Sequence, residues 1–550
     1  VGPVKTTADK RFVYNNRFTV VTGGKFFVDG EIKFPEHPDV ELDKRYRTCF
    51  GPCVSHDGAV NCVCNHCQSR MMRRMTAIRE PDEIGLDQRL CANQLVFFAN
   101  LDEDLEELKQ LASVAFTYYF GINAELEERH ADPHQKRLLR IQAYKDLVST
   151  GDIGMRLWMR EKHVKDGRRP VLVFKQKPDE IIKQSSYPRA IGDFGCPASL
   201  QGILLTYALK IGLTKDWIVD GGTIRFTASP ALAKLDDIFE RLISPDGRFF
   251  AVVFSDDSSL AIRHNNEIHY YNIDIKKCDG SHGPAVFAAL GRLVPCEFAD
   301  EYAVLIEQLS QCIVVSDVYE RRNKVILDPN GPVLWSGSTL TTDINTFVNK
   351  ILMRHIARRY NPELRSIEDI AAEVGYLVSV ERCALPERLQ FLKHSPCKDT
   401  TGKWRPFLNL GVLFRLSGTC RGDLPGRGSL EERGRDFQAS LLQGAYPYSH
   451  CRLLDNMRAA AGVVRPEWTE QVKREIGWKV VEEGYPEYFI PSENLYRRYG
   501  LTVDEMVEVD DVFGKLGHEM HYCCAAMDRI LTLDYELKIR TEYDDFGLWR

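Results

Sequence analysis

The sequence predicts an α+β fold, a sheet backed by helices on one face, and three observations predict it. From Arg248 to about Lys393, short β-type runs such as Phe249-Phe250-Ala251-Val252-Val253-Phe254 alternate with helically spaced ones. From Ala92 to about Leu147 the apolar positions recur at helical intervals, Leu105, Leu108, Leu111 and Val114 among them, with acidic residues between. Beyond a boundary near residue 400 the chain reads as mixed and mostly helical, with a Gly/Arg-rich passage from Gly418 to Gly434. At 550 residues the chain is longer than one hydrophobic core serves, so two to four structural units are expected.

Taken in order, residues 1 to 47 are β-rich, and Phe18-Thr19-Val20-Val21 and Lys25-Phe26-Phe27-Val28, separated by Gly23-Gly24, read as a hairpin. Residues 160 to 189 carry nine bases against four acids, a local excess of five positive charges. Phe249–Phe254 reads as a strand, Ser255-Asp256-Asp257-Ser258 as a turn, and Leu260-Ala261-Ile262 as the returning strand. Tyr270 to Ile275 is a further strand that ends near Asp274, with Asp279 beyond a bend. Ile367 to Gly375 reads as a helix, Tyr376 to Val380 as a strand and Gln390 to His394 as another.

Hydrophobic residues at 44% and charged residues at 27% are close to soluble averages, and no apolar run approaches a membrane-spanning length. A net charge of -6 with pI near 6.2 argues against a protein that coats nucleic acid over its whole surface, and leaves room for a local basic channel. The chain begins Val1-Gly2-Pro3 with no charged-then-apolar leader, which predicts a processed or trimmed product resident in the cytosol. Most of the 16 cysteines are scattered singly, as reduced thiols are.

One cysteine group differs. Cys49, Cys53, Cys62, Cys64 and Cys67, with His56 and His66, place seven thiolate or imidazole ligands in 19 residues, a composition that suits a structural Zn²⁺. A set of reduced structural cysteines is the equal alternative. The bases that follow, Arg70, Arg73 and Arg74, read as a solvated helical face, while Arg354, Arg358 and Arg359 could face either solvent or a nucleic-acid channel.

The chemistry points to clustered carboxylates. An Asp-Asp turn by itself is usually structural, because Asp favours turns. Here Asp256 and Asp257 lie at a hairpin tip, Asp274 ends a strand expected beside it, and the repulsion among them calls for divalent cations, Mg²⁺ or Mn²⁺. Two such ions can activate an attacking hydroxyl and stabilise a leaving oxygen in phosphoryl transfer. Downstream, Ser336-Gly337-x3-Thr341-x3-Asn345 opens an apolar helix. Gly337 would let the backbone approach a ligand, and Thr341 and Asn345 would share one face and offer hydrogen bonds to a sugar. An ordinary helix cap at Ser336 or Ser338 is the bland reading.

These residues resemble the palm motifs of viral RNA-dependent RNA polymerases: Asp274-x4-Asp279 is similar to motif A, Ser336 to Asn345 to motif B, and Ser255-Asp256-Asp257 to motif C, with Ser255 in place of the usual Gly. The order here is C, A, B, similar to permutotetravirus polymerases and next to those of birnaviruses, and the Asp-Asp pair favours the former. Lys175, Lys177, Lys183 and Arg189 in the basic segment look like motif F, which guides incoming triphosphate. Arg382 falls near a motif D lysine and Lys393 near motif E, and an Arg at the former place is a poor proton donor.

The resemblance implies a right hand: an N-terminal extension (1–90), fingers (91–240), a palm (241–400) with a fingers insertion around 284–335, and a thumb (401–550). It implies that Asp256, Asp257 and Asp274 hold two Mg²⁺ or Mn²⁺ ions and that Asp279 and Asn345 read the ribose. It also implies that Lys175, Lys177, Lys183 and Arg189 hold phosphates. The expected partners are template and nascent RNA, NTPs and other viral replication proteins, in the host cytoplasm or in the virion. A reverse transcriptase or DNA polymerase on the same palm, and a non-catalytic RNA-binding scaffold, are the competing readings. Asp279 with Asn345 argues against the first and the intact acids against the second.

Overall fold

A computed structural model describes short strands between residues 12 and 78, residues 88–110, 172–176 and 190–193, most of 206–412, and the stretches 488–514, 520–522 and 525–535, with isolated residues elsewhere. The N-terminal part is β-rich as expected, with β1 (Phe12–Tyr14), β2 (Phe18–Thr22), β3 (Phe27–Val28), β4 (Glu31–Lys33), β5 (Tyr46–Phe50), β6 (Asn61–Cys62) and β7 (Ala77–Ile78). The expected hairpin across Gly23-Gly24 does not form. β2 pairs with β1 instead, and β3 with β4, because each strand finds a partner on its other side.

Helix α1 (Gln88–Ala99) follows, and residues 102–110 form the next helical turns, burying Leu105 and Leu108 as their spacing predicted. Strands β8 (Leu172–Gln176), inside the basic segment, and β9 (Ala190–Asp193), just beyond it, then form an antiparallel pair. After β10 (Trp217–Val219) and β11 (Gly222–Phe226), helix α2 (Leu232–Ile243) buries Leu232, Leu235, Ile238, Phe239 and Leu242, a single stripe at helical spacing.

The central elements are β12 (Phe249–Phe254), β13 (Asp257–His264), β14 (Glu267–Ile275), the short helix α3 (Cys278–Ser281), α4 (Pro284–Leu293), α5 (Ala299–Leu309), β15 (Ile313–Ser316), β16 (Asn323–Pro329), α6 (Thr341–Arg359), α7 (Ile367–Glu373) and β17 (Val378–Cys383). Strands β18 (His394–Lys398) and β19 (Trp404–Leu408) make a hairpin. The C-terminal part holds α8 (Glu493–Tyr499), α9 (Val503–Gly514), β20 (Met520–Tyr522) and α10 (Ala525–Tyr535). The expected strand over 390–394 is a turn: Leu392 and Lys393 take positive φ, 49° and 63°, which no strand tolerates, and β18 begins only at His394.

Two six-stranded sheets organise the described residues. One runs β10-β11-β12-β13-β14-β17 and is antiparallel except for the parallel β11–β12 pair, so the predicted α+β class is what the structure has. The other runs β1-β2-β16-β15-β8-β9, joining the N-terminal strands, the 313–329 segment and the basic segment in one sheet.

The core lies between the first sheet and α6. Phe249, Ala251 and Val253, Leu260 and Ile262, and Tyr271, Ile273 and Ile275 alternate onto one face, where they meet Ile344, Phe347, Val348, Ile351, Leu352 and Ile356 of the helix. Full burial of each such side chain is worth about 1.5–3 kcal/mol, so the helix and sheet hold each other firmly. α2 packs on β12, β13 and β19. Among the described residues no helix is long and apolar enough to cross a membrane.

Candidate active site

The β12–β13 hairpin closes through two residues, since Phe254 pairs directly with Asp257. Ser255 occupies the turn at φ 55°, a conformation that Gly adopts freely and Ser at a cost. Three residues of α6 hold it there. Its N–H donates to Thr346 Oγ1 at 3.1 Å, its Oγ accepts from Asn345 Nδ2 at 3.0 Å, and its carbonyl accepts from Asn349 Nδ2 at 2.9 Å. Asn349 reaches the Asp257 carbonyl as well, at 3.3 Å.

Register then brings the acids together. Asp257 and Asp274 are direct cross-strand partners on β13 and β14, on the sheet face turned away from α6, and the Asp256 carbonyl accepts from the Ile275 N–H at 3.1 Å. Beyond β14, Lys277 at φ 51° turns the chain into α3, which carries Asp279. The buried Cys278 thiol feels three of these acids: burial, then the charges of Asp256, Asp279 and Asp274, push it well above its ordinary pKa.

Like charges directly opposite in a sheet destabilise it unless something neutralises them, and the donors here are all carboxylate oxygens, so the set fits a hard divalent cation. Among the described residues no three His, Cys, Asp or Glu side chains are gathered tightly enough to hold a metal ion unaided. Mg²⁺ asks for less, because it is commonly held by one or two carboxylates with water and substrate phosphates.

Asp279 is the centre of a second arrangement. Ser336 Oγ donates to its Oδ2, and Asn345 Nδ2 donates to its Oδ1 at 2.6 Å. Asn345 is buried, and its Oδ1 accepts from His282 Nε2 at 2.7 Å, while the other ring nitrogen of His282 lies 3.0 Å from the Tyr376 hydroxyl. Burial pushes that hydroxyl well above its ordinary pKa, so it stays protonated. Thr341, which shares the face of Asn345, spends its hydroxyl on the Trp335 carbonyl at 2.7 Å. As placed, these two residues shape the site from within, and Asp279 presents the carboxylate.

The Ser336-Gly337 loop differs from expectation. Gly337 sits at φ 102°, and a Cβ there would lie 2.4 Å from the Gly192 carbonyl oxygen and 2.6 Å from Ile191 Cγ2. The backbone that approaches is the protein's own β9, secured by Gly192 N–H donating to the Ser336 carbonyl at 2.7 Å. Neither Ser336 nor Ser338 caps α6, whose N-cap is Leu340 without a side-chain bond, although Ser338 Oγ accepts from the Leu340 N–H at 3.2 Å.

The basic segment reaches this loop through β9. Lys175 pairs with Ile191 in the β8–β9 ladder. Lys177, Lys183 and Arg189 lie outside the described residues, as do Cys53, His56, Cys64, His66 and Cys67; the backbones of Cys49 and Cys62 are in β5 and β6.

Asp274 pairs with Ser379 on β17, whereas Arg382 pairs with Tyr271, three positions further along, roughly 10 Å, and on the opposite face. Lys393, from the turn before β18, donates to the Asp534 carbonyl at 2.5 Å and sits 4.4 Å from the Tyr535 ring centroid, an anchor between this turn and α10. Of the arginines left open, Arg354 is buried and paired with Asp104, Glu107 and Asp220, and Arg358 donates to Asp220.

Sequence reasoning missed His282, Tyr376, Thr346, Asn349 and Gln94. No local pattern marks them. Gln94, from α1, donates to the carbonyls of Ser281 at 2.6 Å and Gly375 at 3.0 Å and accepts from the Gly283 N–H at 2.8 Å.

No family model matches the chain, and no curated protein matches it. Solved structures do. The RNA polymerase VP1 from Infectious Pancreatic Necrosis Virus is similar at 13% identity and a TM-score of 0.38, over 76% of this chain and 62% of that one. The birnavirus VP1-VP3 complex is similar at the same 13% identity, TM-score of 0.38 and coverage. The chain thus spans about 62% of the length of these two structures. The site's own residues carry the functional reading.

Proposed function

We propose that this chain is an RNA-directed RNA polymerase that copies a viral RNA genome from NTPs by two-metal nucleotidyl transfer, on a palm whose motifs run C, A, B as in permutotetraviruses. One observation carries the reading: the Ser255 turn, the Asp257–Asp274 pair and the Ser336–Asp279–Asn345 arrangement, drawn from three separate segments, converge at one end of one sheet. A structural Asp-Asp turn accounts for the first of these and not for the others.

In this reading Asp256, Asp257 and Asp274 hold two Mg²⁺ or Mn²⁺ ions, which when bound supply the charge that activates a hydroxyl and stabilises the leaving oxygen. Asp279 accepts a hydrogen bond from the ribose of an incoming nucleotide, and a site built to bond a 2′-hydroxyl rejects substrates that lack it. Ser336 and Asn345 keep that carboxylate aimed. Lys175, Lys177, Lys183 and Arg189 guide phosphates toward the site. Residues 241–400, with β12, β13, β14, β17 and α6, are the palm, residues 91–240 and the insertion around 284–335 are the fingers, and residues 401–550 form the thumb; the β1-β2-β16-β15-β8-β9 sheet draws strands from the N-terminal extension, the fingers and the insertion. RNA and other viral replication proteins are the partners, in the host cytoplasm or in the virion, and the cysteine group of the N-terminal extension is a candidate Zn²⁺ site.

Primer extension on an RNA template is the test. The chain should incorporate NTPs in preference to dNTPs when Mg²⁺ or Mn²⁺ is supplied, and Asp256→Ala and Asp274→Ala should each abolish incorporation. Equal use of dNTPs, or full activity in either variant, overturns the reading.

A further inference from the structure

Asn345 has an amide whose two ends face different partners. Its Nδ2 points at Asp279 Oδ1 and at Ser255 Oγ, and its Oδ1 points at His282 Nε2. A flipped amide would set a carbonyl oxygen 2.6 Å from a carboxylate oxygen, a repulsive contact, so the orientation is chemically determined. It follows that His282 Nε2 carries a hydrogen and donates. The Tyr376 hydroxyl, 3.0 Å from Nδ1, then donates to the ring's other nitrogen.

The surroundings hold this imidazole in place. His282 is fully buried, and Gln94 bonds the main chain on both of its sides, at Ser281 and Gly283, and also the residue before Tyr376, Gly375. One side chain from α1 thus sets the histidine and the tyrosine relative to each other. The result is a chain of single-direction hydrogen bonds from Tyr376 through His282 and Asn345 to Asp279.

We propose that His282 is a positioning residue for sugar selection: by donating to Asn345 it fixes the direction of that amide and so aims the Asp279 carboxylate at the 2′-hydroxyl of the incoming nucleotide. This rests on the polymerase reading above. His282 acts through Asn345. A replacement that keeps a donor at Nε2 and an acceptor at Nδ1 preserves the function, and one that keeps only the bulk does not.

The experiment compares kcat/KM for an NTP and its dNTP in primer extension with the full chain carrying His282→Gln, His282→Leu or Tyr376→Phe. Gln can donate from its amide nitrogen and accept at its oxygen, so His282→Gln should keep the NTP/dNTP ratio within about threefold. His282→Leu should lower the ratio about tenfold, the scale of one lost buried hydrogen bond, mostly through a higher KM for NTP. Tyr376→Phe, which removes one oxygen from the core, should lower it by a smaller factor and serves if His282→Leu does not fold.

A merely structural role would reduce NTP and dNTP incorporation together and leave the ratio unchanged; that result overturns the proposal. So does a His282 found protonated at Nδ1 rather than Nε2 in long-range proton–nitrogen spectra of histidine-labelled protein. Wild-type protein that incorporates neither substrate would sink the polymerase reading itself, and the proposal with it, and is told apart by that control alone.

Discussion

Ser255 holds a left-handed backbone conformation, φ 55°, while its hydroxyl accepts a hydrogen bond from Asn345 at 3.0 Å. A strained residue at the tip of an acidic hairpin is thereby tied to the helix beneath it. Conformation and side chain pull in opposite directions on what Ser255 contributes.

Ser255→Gly should relieve about 1 kcal/mol of backbone cost and lose about 1 kcal/mol of hydrogen bonding, leaving stability within about 1 kcal/mol of wild type. Ser255→Ala keeps the strain and loses the bond, so it should be about 1 kcal/mol less stable. Urea denaturation of the three proteins decides it, and an Ala variant more stable than the Gly variant would contradict the account.

Gly337→Ala should destabilise by on the order of 2–3 kcal/mol, because the new Cβ meets backbone at Gly192 and the φ of 102° disfavours any side chain. Since Gly192 is bonded to Ser336, β9 should part from the loop that holds Asp279. Nucleotide incorporation should fall sharply in a protein whose far-ultraviolet circular dichroism is unchanged. Wild-type activity in this variant would argue that the β9 contact is dispensable.

Lys350 is fully buried on α6, donates to the Lys215 carbonyl at 3.0 Å, and burial pushes its pKa down to about 7. Its unfolded value is near 10.5. Between these the unfolded chain binds more protons than the folded one, so this residue's contribution makes stability rise with pH from about 7 toward 10.5. Lys350→Met should be more stable than wild type at pH 7 and should lose this rise. Denaturation midpoints for both proteins at pH 7, 8 and 9 test the sign; parallel curves would refute it.

Arg354 is 3% exposed and joins α6 to Asp104 and Glu107 on the 102–110 helical segment and to Asp220. Arg354→Met takes the paired cation from Asp104 and Glu107, while Arg358 still holds Asp220, and should cost about 3–5 kcal/mol, as breaking a buried pair from one side does. Adding Asp104→Leu should return part of that loss. Additive destabilisation in the double variant would show that the two residues are not coupled.

Much of the framework was legible in the residues. The Phe249–Ile262 hairpin and the strand that carries Asp274 near its end follow from β-type runs broken by turn chemistry, and these patterns are local. Where pairing had a choice of partners, reading failed: β2 lies beside β1 and β16 rather than β3, and 390–394 turns instead of extending. Apolar composition alone does not say which strand is the neighbour.

By itself the sequence determined which residue types stand at which spacing: two acids at a turn, a third at a strand end, a fourth five residues on, and a Ser-Gly-Thr-Asn helix entrance. Only the tertiary structure decided what each one touches. Cross-strand register set Asp257 opposite Asp274 and carried Arg382 to the other face, and burial turned Asn345 inward against His282. The reason is physical: a hydrogen bond depends on distance and direction between atoms tens to hundreds of residues apart in the chain, and these exist only once the sheet and α6 have packed.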